Sequence, residues 1–149
     1  MRTFSALAVM GALLLVAPAG AENTVPSAPL QEILIKTSLL TFNDANLTGN
    51  YSVMHAKLAK AFRDKTTPDR LKQAFKGFAD QKIDFSLIAA MPPVASGEAK
   101  IDEQRNALVL RGYFATKPSR VSYELYFLPS EGEWKLAQID VKVRKPDEK

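Results

Sequence analysis

Apolar and polar positions along this chain follow two different periods, and the change falls near Lys82. Before it the spacing is helical. Over residues 29–47, Leu30, Ile33, Leu34, Leu40 and Leu47 mark one stripe, and Ile35, Leu39 and Phe42 broaden it. A stripe that wide predicts a helix covered on more than one side. Ser27 or Ala28 stands at the cap, with Pro29 in the first turn, where its missing N–H costs nothing. Gly49 suits the left-handed position that ends a helix, and Asn50 suits the cap of the next. That second helix is expected over 51–64, with Met54, Leu58, Ala61 and Phe62 as its apolar side. Thr67-Pro68-Asp69 starts a third: Thr67 as cap, Pro68 at the first position, Asp69 favourable against the dipole. Leu71, Ala74, Phe75 and Phe78 line its stripe.

After Lys82 the period drops to two. Residues 85–90 read as a short strand ended by Met91-Pro92-Pro93, and further strands are expected over 98–102, 106–116, 120–128 and 133–144. Turn-prone Glu103-Gln104-Arg105, Lys117-Pro118-Ser119 and Pro129-Ser130-Glu131-Gly132 separate the last four. Connections this short favour an antiparallel meander. Val121, Tyr123, Leu125 and Phe127 face one way; Ser122, Glu124, Tyr126 and Leu128 face the other. In the last strand Trp134 and Leu136 hold one parity, and Ile139, Val141 and Val143 the opposite one. A bulge near Ala137-Gln138 reconciles them and bends the sheet. The expected fold is α+β, with three N-terminal helices packed on a curved antiparallel sheet.

Composition adds a location. Arg2, the apolar run over 4–16 and Ala19-Gly20-Ala21 have the order of a secretory signal peptide over 1–21, cleaved after Ala21. The expected mature protein is exported, periplasmic or secreted: a polar, disordered leader over 22–28, one domain over 29–145 and a tail over 146–149. No second apolar segment approaches membrane-spanning length, so no stable span is expected after cleavage. The chain has no cysteine, which excludes disulfides, thiolate metal sites, a cysteine nucleophile and a lipidated cysteine. Charge is uneven: over 51–82 eight basic side chains face three acidic ones. Such a face suits an anionic envelope surface, or is an ordinary solvated helix surface. No motif points to nucleic acid.

Three stretches, LLTFNDANLTGNYSVMHAKLAKAF, ALVLRGYF and the closing GEWKLAQIDVKV, together resemble the nuclear transport factor 2-like superfamily, the cystatin-like α+β cone. The likeness covers residues 29–145 and is nearest to small exported bacterial members without an assigned activity. It implies a cone enclosing a pocket between helices and sheet, and a sheet face that commonly forms homodimers. Enzymes of that superfamily, such as ketosteroid isomerase and scytalone dehydratase, set an Asp or His base against Tyr or Asp donors. None of their catalytic positions aligns with this chain residue by residue, so none is carried over.

The candidate chemistry is therefore sparse. His55 is the one histidine. It either acts as a general base, with Tyr51 or Tyr123 as donor and Asp44 near in sequence, or bonds a backbone carbonyl or solvent. One histidine without cysteine leaves no basis for a metal site, and no cofactor is expected. Arg111 and Tyr113 share a strand face and could hold an anionic ligand, or that face is the outer one, with Leu108, Leu110 and Phe114 packing inward. Tyr123 and Trp134 line a pocket or fill the core. The functional expectation is a non-catalytic domain that binds a small apolar ligand or an envelope partner. An isomerase- or dehydratase-type enzyme built on His55, and electrostatic docking to anionic envelope surfaces, are the alternatives.

Overall fold

The computed structural model describes residues 23–145. The expected signal peptide, its cleavage point and the tail over 146–149 lie outside them. The fold is α+β: helical segments come first and a five-stranded, open antiparallel sheet follows. Helix α1 (Ala28–Thr48) ends as its residues require: Gly49 takes φ 71° and donates its N–H to the Ala45 carbonyl at 2.9 Å. The Asn50 side chain then accepts the Ser52 N–H at 3.0 Å.

The buried face of α1 is not the stripe expected from spacing. Ile35, Leu39, Phe42, Asn43, Ala45 and Asn46 are buried, whereas Leu30, Ile33 and Leu47 are exposed. A helix apolar most of the way round carries no signal of which side meets the sheet; the sheet decides. Two buried amides sit in that face. Asn43 accepts the Phe85 N–H at 3.0 Å and donates to Asp84 at 3.1 Å, anchoring the segment after the helices to the C-terminal part of α1. Asn46 donates to the Phe42 carbonyl at 2.9 Å and accepts the Tyr51 hydroxyl.

The expected second helix is broken in two, α2 (Ser52–Lys57) and α3 (Lys60–Arg63). Leu58 is extended (φ −66°, ψ 152°) and forms a parallel bridge with Leu136 of the last strand; the Ala59 N–H donates to the Leu136 carbonyl at 2.8 Å. Pairing with a strand edge replaces the helical hydrogen bonds there. The break also turns Ala61 and Phe62 out to solvent, against the expected apolar side. Thr67 caps α4 (Pro68–Ala74) as expected, its hydroxyl accepting the Arg70 N–H at 3.2 Å, and α5 (Lys76–Asp80) continues it after a kink at Phe75. Phe75 is half-buried and lies edge-on to Phe42, with ring centroids 4.8 Å apart, while Ala74 is exposed. The expected strand over 85–90 is instead a 3₁₀ turn (Ser86–Ala90) that buries Ile88 and exposes Leu87. A short apolar run carries no periodicity able to separate these alternatives.

The strands are β1 (Val94–Ala95), β2 (Lys100–Asp102), β3 (Ala107–Phe114), β4 (Arg120–Ser130) and β5 (Glu133–Arg144). Their order is β1-β3-β4-β5, with β2 also on β3. Glu131 and Gly132, with φ 54° and 81°, form the two-residue loop between β4 and β5; positive φ at both positions matches the twist of the strands it joins. Tyr126 pairs with Gln138 but Phe127 with Leu136, so Ala137 is the extra residue of a bulge, where the parity switch in the sequence required one. Leu108, Leu110, Phe114, Val121, Tyr123, Leu125, Phe127 and Leu136 form the inner face and meet Leu39, Phe42, Met54 and Leu58 in one core.

Candidate functional site

Two grooves open between the helices and the inner face of the sheet at β5, and both have Met54 and Leu136 in their walls. The first holds about 310 Å³ and lies between α1, α2 and the start of β5; Leu34, Ala56, Phe127 and Trp134 complete its apolar side, while Glu133, Lys135 and Lys57, which donates to the Thr41 hydroxyl at 3.0 Å, line its polar one. The second holds about 380 Å³ and runs under α3 and α4, bounded by Leu58, Phe62, Leu71, Phe75 and Ile139, with Lys65 beside them. The bridge from Leu58 to Leu136 therefore does two things. It closes the sheet edge at that point, and it sets a buried ridge with a groove on either side. A third hollow, about 450 Å³, lies over Tyr51 and is rimmed by Asp69, Lys72, Lys76 and Asp80.

The sequence-derived candidates do not converge on one place. Trp134 lines the first groove. His55 lines neither groove. Its Nε2 lies 3.0 Å from both the Arg63 and the Thr66 carbonyl oxygens, so that nitrogen carries the proton and shares it between them. This ties α2 to the end of α3 and to the loop that follows it. Asp44, by contrast, is exposed on α1. Tyr51 is buried against Phe75, its ring stacked at 6.3 Å, and burial raises its pKa. Tyr123 lies in the core beside Phe114, with ring centroids 5.8 Å apart; burial pushes its phenol up to about 12. At neutral pH it is a neutral phenol.

Arg111 and Tyr113 are on the outer face of the sheet, while Leu108, Leu110 and Phe114 pack inward. The Arg111 Nε donates to Glu124 at 2.7 Å and its Nη2 to the Tyr126 hydroxyl at 3.2 Å, while that hydroxyl donates to Glu124 at 2.6 Å. These bonds raise the Arg111 pKa and lower that of Glu124, each chiefly through the bond between the two. The guanidinium is thus engaged by a carboxylate of its own sheet. The Arg120 guanidinium stacks over Tyr113 at 4.1 Å.

The basic segment is partly neutralised from within. Lys60 pairs with Asp64 and Lys76 with Asp80, both one helical turn apart. Arg63 reaches across to the β4–β5 loop and grips Glu131 with both amino groups, at 3.1 and 2.9 Å, while Lys135 meets the same carboxylate at 2.6 Å. Hydrogen bonds from Arg63 first, then Lys135, hold the Glu131 carboxyl down to about 2, from an ordinary 4.5. A carboxylate held down in the fold contributes stability that is complete above its unfolded pKa and lost as pH falls toward the folded one. The expected result is an acid transition between about pH 4.5 and 2 that is shallower in Glu131→Gln, read from urea midpoints across that range. Identical acid limbs for the two proteins would show that this cluster does not couple to folding.

Among the described residues no group of three histidine, cysteine or carboxylate side chains is placed to hold a metal ion, and no helix is long and apolar enough to cross a membrane. The residues that the pattern of the chain did not single out are Met54 and Leu136 as the shared ridge, and Asn43 and Asn46. Only the amides left a signal: they are polar residues at the spacing of Leu39 and Phe42 on an otherwise apolar stripe. Compared with protein-family profiles, curated proteins and solved structures, the chain matches none of them.

Proposed function

We propose that this protein is an exported, non-catalytic domain that takes a small apolar ligand between its helices and its sheet, in a cone of the kind its sequence resembles. The observation that carries this reading is the pair of grooves meeting at Met54 and Leu136. Their volumes fall at the small end of the range for ligand sites; the second is walled mainly by apolar side chains with Lys65 beside them, and the first sets apolar side chains against a polar side with Lys57, Lys135 and Glu133. Such a site favours a short alkyl or aromatic compound, and the lysines favour one carrying a negative group. An envelope protein partner would use the same apolar lip at Phe62, which is exposed beside the second groove.

Two alternatives rank below it. An isomerase- or dehydratase-type reaction needs His55 and a tyrosine hydroxyl facing one water-excluded space. The His55 Nε2 is instead bound to two backbone carbonyls, and the Tyr51 hydroxyl is bound to Asn46. Electrostatic docking through the basic helices is weakened because Lys60, Arg63 and Lys76 already have acidic partners.

Trp134 is the sole tryptophan and lines the first groove, so it reports occupancy without a label. Protein recovered from the envelope fraction of its own host is expected to carry extra mass in a native spectrum that disappears on denaturation. After stripping, titration with a medium-chain fatty acid is expected to shift Trp134 emission saturably. A mass beginning at Glu22 checks the export reading in the same spectrum. A bare protein whose tryptophan emission stays flat under titration with the fatty acid and its neutral alcohol would overturn the ligand reading.

A further inference from the structure

The two edges of the sheet are built differently. On one side β1 and β2 are strands of two and three residues, parted by Gly97 at φ 114° and preceded by Pro92-Pro93. Short, interrupted edge strands of this kind offer little template for pairing. The other edge is β5, twelve residues long and, among the described residues, paired in the sheet with β4 alone. Its beginning is covered where Leu58 bridges Leu136. Beyond the bulge at Ala137, residues 138–144 run regularly along β4, with no proline and no inward-pointing charge to blunt them. Ile139, Val141 and Val143 alternate toward the inner face, half-buried, while Gln138, Asp140, Lys142 and Arg144 are exposed on the outer one. The outer face of the sheet is itself covered by its own side chains: Arg111 on Glu124, Arg120 over Tyr113 and Arg105 over Tyr126.

We propose that residues 138–144 pair antiparallel with the same segment of a second copy of this chain, about a two-fold axis at Val141, so that one continuous sheet crosses two chains. The charge order on the strand selects this occupant and this register. Antiparallel pairings that keep inner residues opposite inner residues differ by steps of one centre residue. Centred on Asp140, the pairing sets two aspartates face to face; centred on Lys142, two lysines. Centred on Val141, Asp140 of each copy meets Lys142 of the other, Gln138 meets Arg144, and Ile139 meets Val143. No like charges oppose, and the apolar side chains continue one surface. This self-complementarity is what an isologous contact requires. A segment of this length gives a small interface, so the dimer is a reversible one rather than an obligate one.

Sedimentation equilibrium of the purified protein at low salt is expected to show a concentration-dependent monomer–dimer equilibrium. Asp140→Lys opposes two lysine-type charges at both symmetric positions and is expected to weaken the dimer about tenfold or more. The double variant Asp140→Lys with Lys142→Asp exchanges the charges and is expected to restore it. Both side chains are exposed, and a melting curve for each variant confirms that it folds. A protein that stays monomeric up to about 1 mM would overturn the proposal. So would a dimer that ignores Asp140→Lys and is lost with Arg111→Glu, which would place the contact on the sheet face. A folded double variant that remains as weak as Asp140→Lys would overturn the register.

Discussion

Replacing Phe42 with alanine is expected to cost the fold about 3–5 kcal/mol, enough to consume much of the stability of a domain this size. Phe42 is 2% exposed and sits where three elements meet. Its ring lies 4.8 Å from Phe75, 5.1 Å from Phe78 and 6.4 Å from Phe85, so one side chain from α1 touches α5, the kink before it and the segment leading to the sheet. Removing it opens a cavity that three separate rings would have to collapse into, and each of those is held by other contacts. Phe78 is edge-on to Phe85 at 6.1 Å, and Phe75 is stacked on Tyr51. Leu47→Ala is the informative comparison. Leu47 belongs to the stripe marked by spacing alone, yet it is 48% exposed, and its loss is expected to fall within about 0.5 kcal/mol of zero. Urea unfolding of the two variants decides between the stripe and the observed face. Equal losses would mean that α1 is rotated relative to the sheet from the arrangement described.

Gly112→Ala is expected to cost about 3 kcal/mol, for a steric reason and not a conformational one. Gly112 is on the inner face of β3, opposite Tyr123 of β4 and Ala95 of β1. A methyl group there would lie 2.3 Å from the Val94 carbonyl oxygen and 2.4 Å from the Tyr123 hydroxyl. The tyrosine ring occupies the volume a side chain would fill, which lets a large aromatic lie flat on the sheet. The flexible part of that clash can yield, but the carbonyl belongs to the backbone. Tyr123→Leu is therefore expected to recover only part of the loss. The residual damage is expected at β1, visible as faster amide exchange at Ser96, whose N–H donates to the Arg111 carbonyl at 3.0 Å. Full rescue by Tyr123→Leu would mean that β1 moves aside freely. No loss in Gly112→Ala itself would mean that the ring does not lie over the glycine.

What was legible in the chain follows the range of each interaction. Gly49 and Thr67-Pro68 act within one turn of backbone, and both ended or began helices as their chemistry required. The parity switch in β5 was legible for a similar reason: Leu136 and Ile139 cannot share one face of a regular strand, so a bulge had to lie between them. For Arg111 the chain offered two directions, and the outward one observed is the one that three large apolar neighbours of opposite parity on the same strand favour. In each case the residues that decide the outcome are adjacent in sequence.

The site was not legible, because its parts are distant in sequence. Met54 and Leu136 form the ridge between the grooves only because Leu58 leaves the helix to pair with β5. Nothing local to residues 51–64 predicts that break, since Leu58 and Ala59 are good helix formers. The partners of His55 were not legible either: the chain turns back after the break and presents the Arg63 and Thr66 carbonyls to its ring.

By itself, the order of residues determined an α+β protein with a meandering antiparallel sheet, the positions of its turns and bulge, and which strand residues share a face. Backbone conformation, capping and pleat parity act over a few residues, and a single chain carries them in full. The tertiary structure alone decided which side of α1 is buried, that two expected helices are interrupted, that residues 86–90 form a 3₁₀ turn, and where the grooves open. These outcomes depend on burial against a surface that no neighbouring residue supplies, and burial energy is indifferent to sequence distance.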